Sequence, residues 1–336
     1  MRNLLIVTIL GVLLCSSAPA LAGGHDGWID DYDKAVEIAR SQGKDLLLDF
    51  TGSDWCIWCK RLVAEVFDKD EFKPAEEDFV LVMLDFPRDE ELKKKVPNPK
   101  RNQELFDKYG VRGYPTILLV TAEGEVFGKT GYRQGGAEEY VKHLEELRTD
   151  GKADLAQAKK SIETFQKAEG SKKDAAYGEI IAAMAELEPD SPIAILLQDP
   201  VKSTFQYDPD NAKGLKQRAT NALLIAGVYD EEIDVAAHEL DPNNEAGLLE
   251  RAVAAKCKSI RSPDQVKAAC AEIVALDKLG PIKDPQIARD IYVSGALWSK
   301  QFVKDDDCAK ILAEKAMQYV QDDERLVKML NEIIEG

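Results

Sequence analysis

Along the first half of the chain, the spacing of apolar positions alternates between helical and extended periods. Asp33 to Gln42 carries Ala35, Val36, Ile38 and Ala39 on a helical spacing and stops at Gly43. Lys44 to Phe50 is a short apolar run, and Phe79 to Leu84 is another. Continuous runs of that length suit strands at the centre of a sheet covered on both faces. Between them, Cys56 to Val66 reads as a helix with Leu62, Val63 and Val66 on one side. Asp85 to Arg101 is an irregular charged insertion broken by Pro87, Pro97 and Pro99, and Asn102 to Tyr109 is a helix. Ile117 to Thr121 and Glu125 to Thr130 form two strands joined at Ala122-Glu123-Gly124, and Ala137 to Arg148 is the last helix of this half. The order β-α-β-α-β-β-α predicts an α/β fold, a mixed sheet with helices on both faces.

Beyond Asp150 the strand signals end. Helical segments follow at 154–169, 174–187, 231–240, 245–258, 263–276, 285–302 and 307–320. Ser262-Pro263-Asp264-Gln265 is a capping box with proline in the first helical position. Two segments end alike, Ala185-Glu186-Leu187-Glu188-Pro189-Asp190 and His238-Glu239-Leu240-Asp241-Pro242-Asn243. Such endings lean towards a tetratricopeptide-type helix pair, although no even period holds. The expectation is an all-α helical array or bundle over 150–336.

The first residues read differently. Arg2, the apolar run Leu4 to Leu14 and the small-residue stretch ending Ala20-Leu21-Ala22 follow the order of a secretory signal peptide. The predicted division is therefore a signal peptide at 1–22, an α/β domain at 23–149 and the helical region. The apolar run is too short to span a bilayer, and no later stretch is longer. An exported protein, periplasmic or extracellular, without stable membrane insertion after cleavage, is the expectation. With 61 acidic against 44 basic residues the net charge is −17. No basic stripe accompanies it, which argues against nucleic acid as a partner.

The chemistry sits at Trp55-Cys56-Ile57-Trp58-Cys59, directly after the run that ends Leu48-Asp49-Phe50. Two cysteines separated by two residues, where a strand hands over to a helix, are the arrangement of a redox dithiol. The helix N-terminus stabilises a thiolate on the first, partly exposed cysteine, and the second, more buried, resolves the mixed disulfide. A structural bridge is the bland alternative, but so small a loop constrains an unfolded chain little. A metal pair is the other; zinc wants four ligands, and His25, His143 and His238 are scattered. No cofactor is expected. Cys257, Cys270 and Cys308 read as core or structural thiols of helical packing, their pairing open.

Three separated elements, Asp49-Phe50, Trp55-Cys56-Ile57-Trp58-Cys59-Lys60 and Val111-Arg112-Gly113-Tyr114-Pro115-Thr116, resemble the thioredoxin superfamily, in particular its exported thioredoxin-like domains with a Gly-Ser-Asp-Trp-Cys-x-Trp-Cys-Lys site. The resemblance covers about Trp28 to Arg148. It implies a thiol–disulfide oxidoreductase of reductase or isomerase type, with Cys56 as nucleophile and Cys59 as resolving thiol. It makes Asp49 a buried proton relay, although the segment Thr51 to Asp54 is one residue longer than usual, which leaves a displaced or solvent-facing Asp49 as the alternative. It implies a cis Pro115 after Tyr114, and a substrate groove formed by Trp55, Trp58, Tyr114 and Pro115. The large apolar Trp58 offers the thiolate no hydrogen bond or charge, which leans towards a reducing or isomerising poise; Lys60 and Arg61 either assist the thiolate or are solvated. Substrates would be protein thiols and disulfides, and the electron donor a membrane protein. A non-enzymatic adaptor, with both domains binding partner proteins, is the rival reading.

Overall fold

The computed structural model describes residues 27–260 and 262–336, so the signal peptide expected over Met1–Ala22 lies outside it. The first helix, α1 (Tyr32–Gln42), starts where the Asp31 carboxylate accepts the Lys34 N–H and ends at Gly43 in the left-handed conformation. Strand β1 (Asp45–Thr51) is buried along its whole length. It feeds α2 (Ile57–Leu62), which continues as a π-helical turn over Val63–Phe67. Strand β2 (Phe79–Asp85), helix α3 (Pro99–Lys108) and strands β3 (Thr116–Val120) and β4 (Val126–Thr130) follow. The sheet order is β2-β1-β3-β4. β1 runs parallel to β2 with Asp49 opposite Met83, and antiparallel to β3 with Asp49 opposite Ile117. The mixed sheet is the one the sequence predicts.

Within the insertion, Pro99 opens α3 where the sequence reading ended irregular structure at Arg101. A proline is compatible with the first helical turn because the N–H it lacks has no partner there. Glu90–Lys93 forms a short helix of its own, capped by Asp89.

The chain divides into two compact units, the described part of 1–124 with 130–141, and 125–129 with 142–336. In the first, Trp28, Phe67 and Phe72 stack with centroids 4.7 and 4.9 Å apart from Phe67. Helix α4 (Gly136–Lys167) is continuous where two separate helices are expected. Gly151 reads as a breaker in sequence but has another use. A Cβ there would stand 2.0 Å from the Phe127 carbonyl oxygen, so the glycine is the notch that lets helix and strand meet.

The remaining chain is helical, with α5 (Lys173–Ala185), α6 (Ala194–Lys202), α7 (Leu215–Ile225), α8 (Glu231–Leu240), α9 (Leu248–Ser259), α10 (Pro263–Leu279), α11 (Pro285–Trp298), α12 (Asp306–Ala316) and α13 (Glu324–Glu335). The Ser262–Gln265 capping box opens α10 as predicted. Helices α6, α7 and α13 are additions to the sequence reading; α6 carries Pro200 inside it. Two loops repeat one device. The Asp208 carboxylate accepts the Lys213 and Leu215 N–H groups, Asn211 takes a positive φ, and Gly214 precedes α7. Asp241, Asn244 and Gly247 do the same before α9. The repeat therefore joins 208–215 to 241–248, a pairing different from the endings matched by sequence.

Candidate active site

Cys56 is the N-cap residue of α2, and its Sγ accepts the Cys59 N–H at 3.2 Å. One of the four unpaired N–H groups that begin any helix is thereby spent on sulfur, where partial positive charge favours a thiolate. The two cysteines form a disulfide with Cα atoms 5.3 Å apart. The expected difference in exposure is not present in this oxidised state, since Cys56 is 5% and Cys59 2% exposed. The bridge and the Cys59 N–H hold the first sulfur against the helix turn instead of leaving it open to solvent.

Around the bridge, the segment between β1 and α2 is tied to the insertion after β2. The Asp85 carboxylate accepts the Ser53 N–H at 2.9 Å and its hydroxyl at 2.6 Å. The Asp54 carboxylate accepts the Arg88 and Asp89 N–H groups, which hold it below the usual carboxylate range against the opposing pull of desolvation. Trp55 donates its indole N–H to the Phe86 carbonyl at 2.9 Å, and the Arg88 guanidinium lies 3.9 Å from its ring centre. The other side of Trp55 meets Tyr114 edge-on at 5.3 Å. Tyr114 in turn packs against Phe86 and Phe106, and its bond to Pro115 is cis. Trp55 and Tyr114 thus form a half-buried aromatic wall beginning beside Cys56, with the half-buried Pro115 next along the chain.

Trp58 belongs to a different group. It is 50% exposed, stacks on Tyr132 at 5.2 Å, and has the Arg61 guanidinium 5.3 Å from its ring. Arg61 pairs with Glu65, which also accepts the Tyr132 hydroxyl at 2.5 Å. Lys60 donates to the Asp54 carbonyl. Both basic side chains therefore have partners of their own. Tyr132 and Glu65 were not singled out in sequence; Tyr132 is remote along the chain from Trp58, and no local pattern joins them.

Asp49 is 3% exposed, and the solvent-facing alternative does not hold. Its Oδ1 is buried without a hydrogen-bond partner among the described residues. Burial first, and the nearby Asp85 charge second, push its carboxyl up to about 8. Tyr140, itself raised chiefly by burial, feels the same carboxylate.

A mixed four-stranded sheet, a cysteine pair at the head of a helix and a cis-proline directly after the Tyr114 that meets Trp55 define a thiol–disulfide oxidoreductase on a thioredoxin-like domain. The chain belongs to the thioredoxin-like family, whose domain model matches residues 32–148. It is 35% identical over 124 residues to the disulfide bond reductase DsbH of Chlamydia pneumoniae, spanning 36% of this chain and 72% of that protein. It is 32% identical over 114 residues to the thiol:disulfide interchange protein DsbD of a Pseudomonas species, spanning 32% of this chain but 18% of DsbD. A solved DsbH oxidoreductase matches 41% of this chain and 93% of its own at 32% identity, with a TM-score of 0.32.

Proposed function

We propose that this protein works outside the cytoplasm, after loss of residues 1–22, as a reductase or isomerase of protein disulfides. The observation that carries the reading is Cys56 at the N-cap of α2 with its sulfur on the Cys59 N–H. In the reduced protein, the Cys56 thiolate attacks a substrate disulfide and forms a mixed disulfide, releasing one substrate thiolate. Cys59 then gives up its proton and attacks Cys56 Sγ, releasing the second substrate thiolate and leaving the Cys56–Cys59 bridge. A donor dithiol, supplied by a membrane protein, returns two electrons and two protons to that bridge.

Asp49 is the proton carrier in this scheme. A carboxyl titrating near 8 exchanges protons with a thiol at neutral pH, where an ordinary aspartate, fully ionised, holds none. Trp55, Tyr114 and Pro115 bound the groove for the substrate chain, and Trp58 with the 71% exposed Ile57 adds an apolar rim. The region 150–336 serves to bind partners or a second copy.

The test is a Cys59→Ser variant expressed with its leader. Without the resolving thiol, mixed disulfides on Cys56 accumulate and are recovered as adducts cleaved by dithiothreitol. Cys56→Ser yields none. Recovery of no adducts from Cys59→Ser, with normal function in a variant lacking both cysteines, supports the adaptor reading in place of the enzyme.

A further inference from the structure

Among the described residues three cysteines outside the dithiol are free thiols, and the helical fold brings them into one neighbourhood although they come from separate helices. Cys257 lies on α9, Cys270 on α10 and Cys308 in the first turn of α12. Cys270 and Cys308 share a neighbour in Ser299, a fully buried residue that opens the π-helical turn Ser299–Val303 after α11. The Ser299 hydroxyl donates to Cys308 Sγ at 3.4 Å, and it lies near enough to the Cys270 thiol to oppose part of the rise that burial imposes on it. One hydroxyl thus neighbours both sulfurs, and the Cys270 thiol feels Cys308 directly. The Ser299 carbonyl accepts the Asp305 N–H, and the Asp305 carboxylate caps the Cys308 N–H, so the turn and the start of α12 are fixed to each other.

We propose that Cys270 and Cys308 are a second oxidisable thiol pair, closed by a low-molecular-weight disulfide into a bridge that staples α10 to α12. Cys308 is half-buried and meets the oxidant first, whereas Cys270 is buried and acts second. The Cys308 thiolate attacks the small disulfide, forming a mixed disulfide and releasing one small thiol, which takes up a proton. Cys270 loses its proton to water and attacks Cys308 Sγ, forming the protein bridge and releasing the second small thiol. Two protein thiols are oxidised by two electrons, and one disulfide is reduced to two thiols.

Closure requires the two sulfurs to come to about 2.05 Å, so the Ser299 hydroxyl must give up its bond to Cys308 Sγ. The π-helical turn is suited to this. Such a turn holds a residue in excess of the α-helical count, and rewinding it shifts the side chains of its first residue. Cys257 is the poorer partner for Cys270, because burial pushes its thiol up to about 12 and leaves little thiolate.

The experiment uses the full chain, oxidised glutathione as the probe, alkylation of remaining thiols under denaturing conditions, and peptide mass mapping. The expected product is a peptide linking Cys270 to Cys308, alongside the separate Cys56–Cys59 link and an alkylated Cys257. In Cys270→Ser, Cys308 stays as a glutathione adduct; in Cys308→Ala, no link forms. Oxidation raises the melting temperature of the wild type, dithiothreitol reverses the rise, and Cys270→Ser lacks it. A Cys257–Cys270 link, a persistent glutathione adduct on wild-type Cys308, or three unreacted thiols would each overturn the proposal. The Cys56–Cys59 link reports independently on the first site.

Discussion

At the scale of a single residue, the burial of Asp49 makes stability depend on pH. A carboxyl raised from 3.8 to about 8 is protonated in the folded state at neutral pH, while in the unfolded chain it is ionised. The folded state binds the extra proton between those two values, so stability falls as pH rises through that window. Its contribution is fully present below about 4 and lost above about 8. Asp49→Asn removes the penalty, and we expect it to raise unfolding free energy by a few kcal/mol at pH 8 and by almost nothing at pH 4. Urea titrations at the two pH values check this, and an equal effect at both would exclude Asp49 as the titrating group. Under the proposed scheme the same variant is also expected to slow turnover, because an amide cannot exchange a proton with the Cys59 thiol.

Between residue and whole lies the clamp that joins the β1–α2 segment to the insertion. Ser53, Asp54 and Trp55 each hold a group between Asp85 and Asp89. Gly52 leaves room for this, since a Cβ on it would stand 2.5 Å from the Trp55 ring. The ring cannot retreat without breaking its bond to the Phe86 carbonyl and its contact with Tyr114. Gly52→Ala is therefore expected to lower kcat/KM on protein disulfides about tenfold, or ~1.4 kcal/mol of transition-state stabilisation. The near-UV circular dichroism of Trp55 should change with it. An unchanged spectrum with full activity would show that the aromatic wall tolerates the shift. The insertion was legible in sequence only as a proline-broken stretch, because its order comes from side-chain to backbone bonds with a segment some thirty residues earlier.

At the scale of the whole molecule, the close approach of α4 to β4 at Phe127 depends on one missing side chain. Gly151→Ala gains up to about 1 kcal/mol of helix propensity. It also drives a methyl into the Phe127 carbonyl, and overpacking against backbone costs about 1–3 kcal/mol. The clash wins, so a lower melting temperature is expected for the variant, measured by calorimetry. A higher one would mean that helix and strand separate easily.

The cis bond before Pro115 was expected only from the family resemblance, whereas the dithiol, the strands β1 and β2 and the helical character of 150–336 were readable in the sequence itself. Each is encoded by neighbours in the chain, through a local spacing of apolar residues or a contiguous motif. Trp58 meeting Tyr132, the bond from Trp55 to Phe86, the burial that raises Asp49 and the junction of Cys270 with Cys308 at Ser299 were not. These link residues from separate elements, and the sequence carries no periodicity across such distances. Local order follows from the backbone and from which face is apolar; the environment of a titratable or nucleophilic group exists only once the elements have packed.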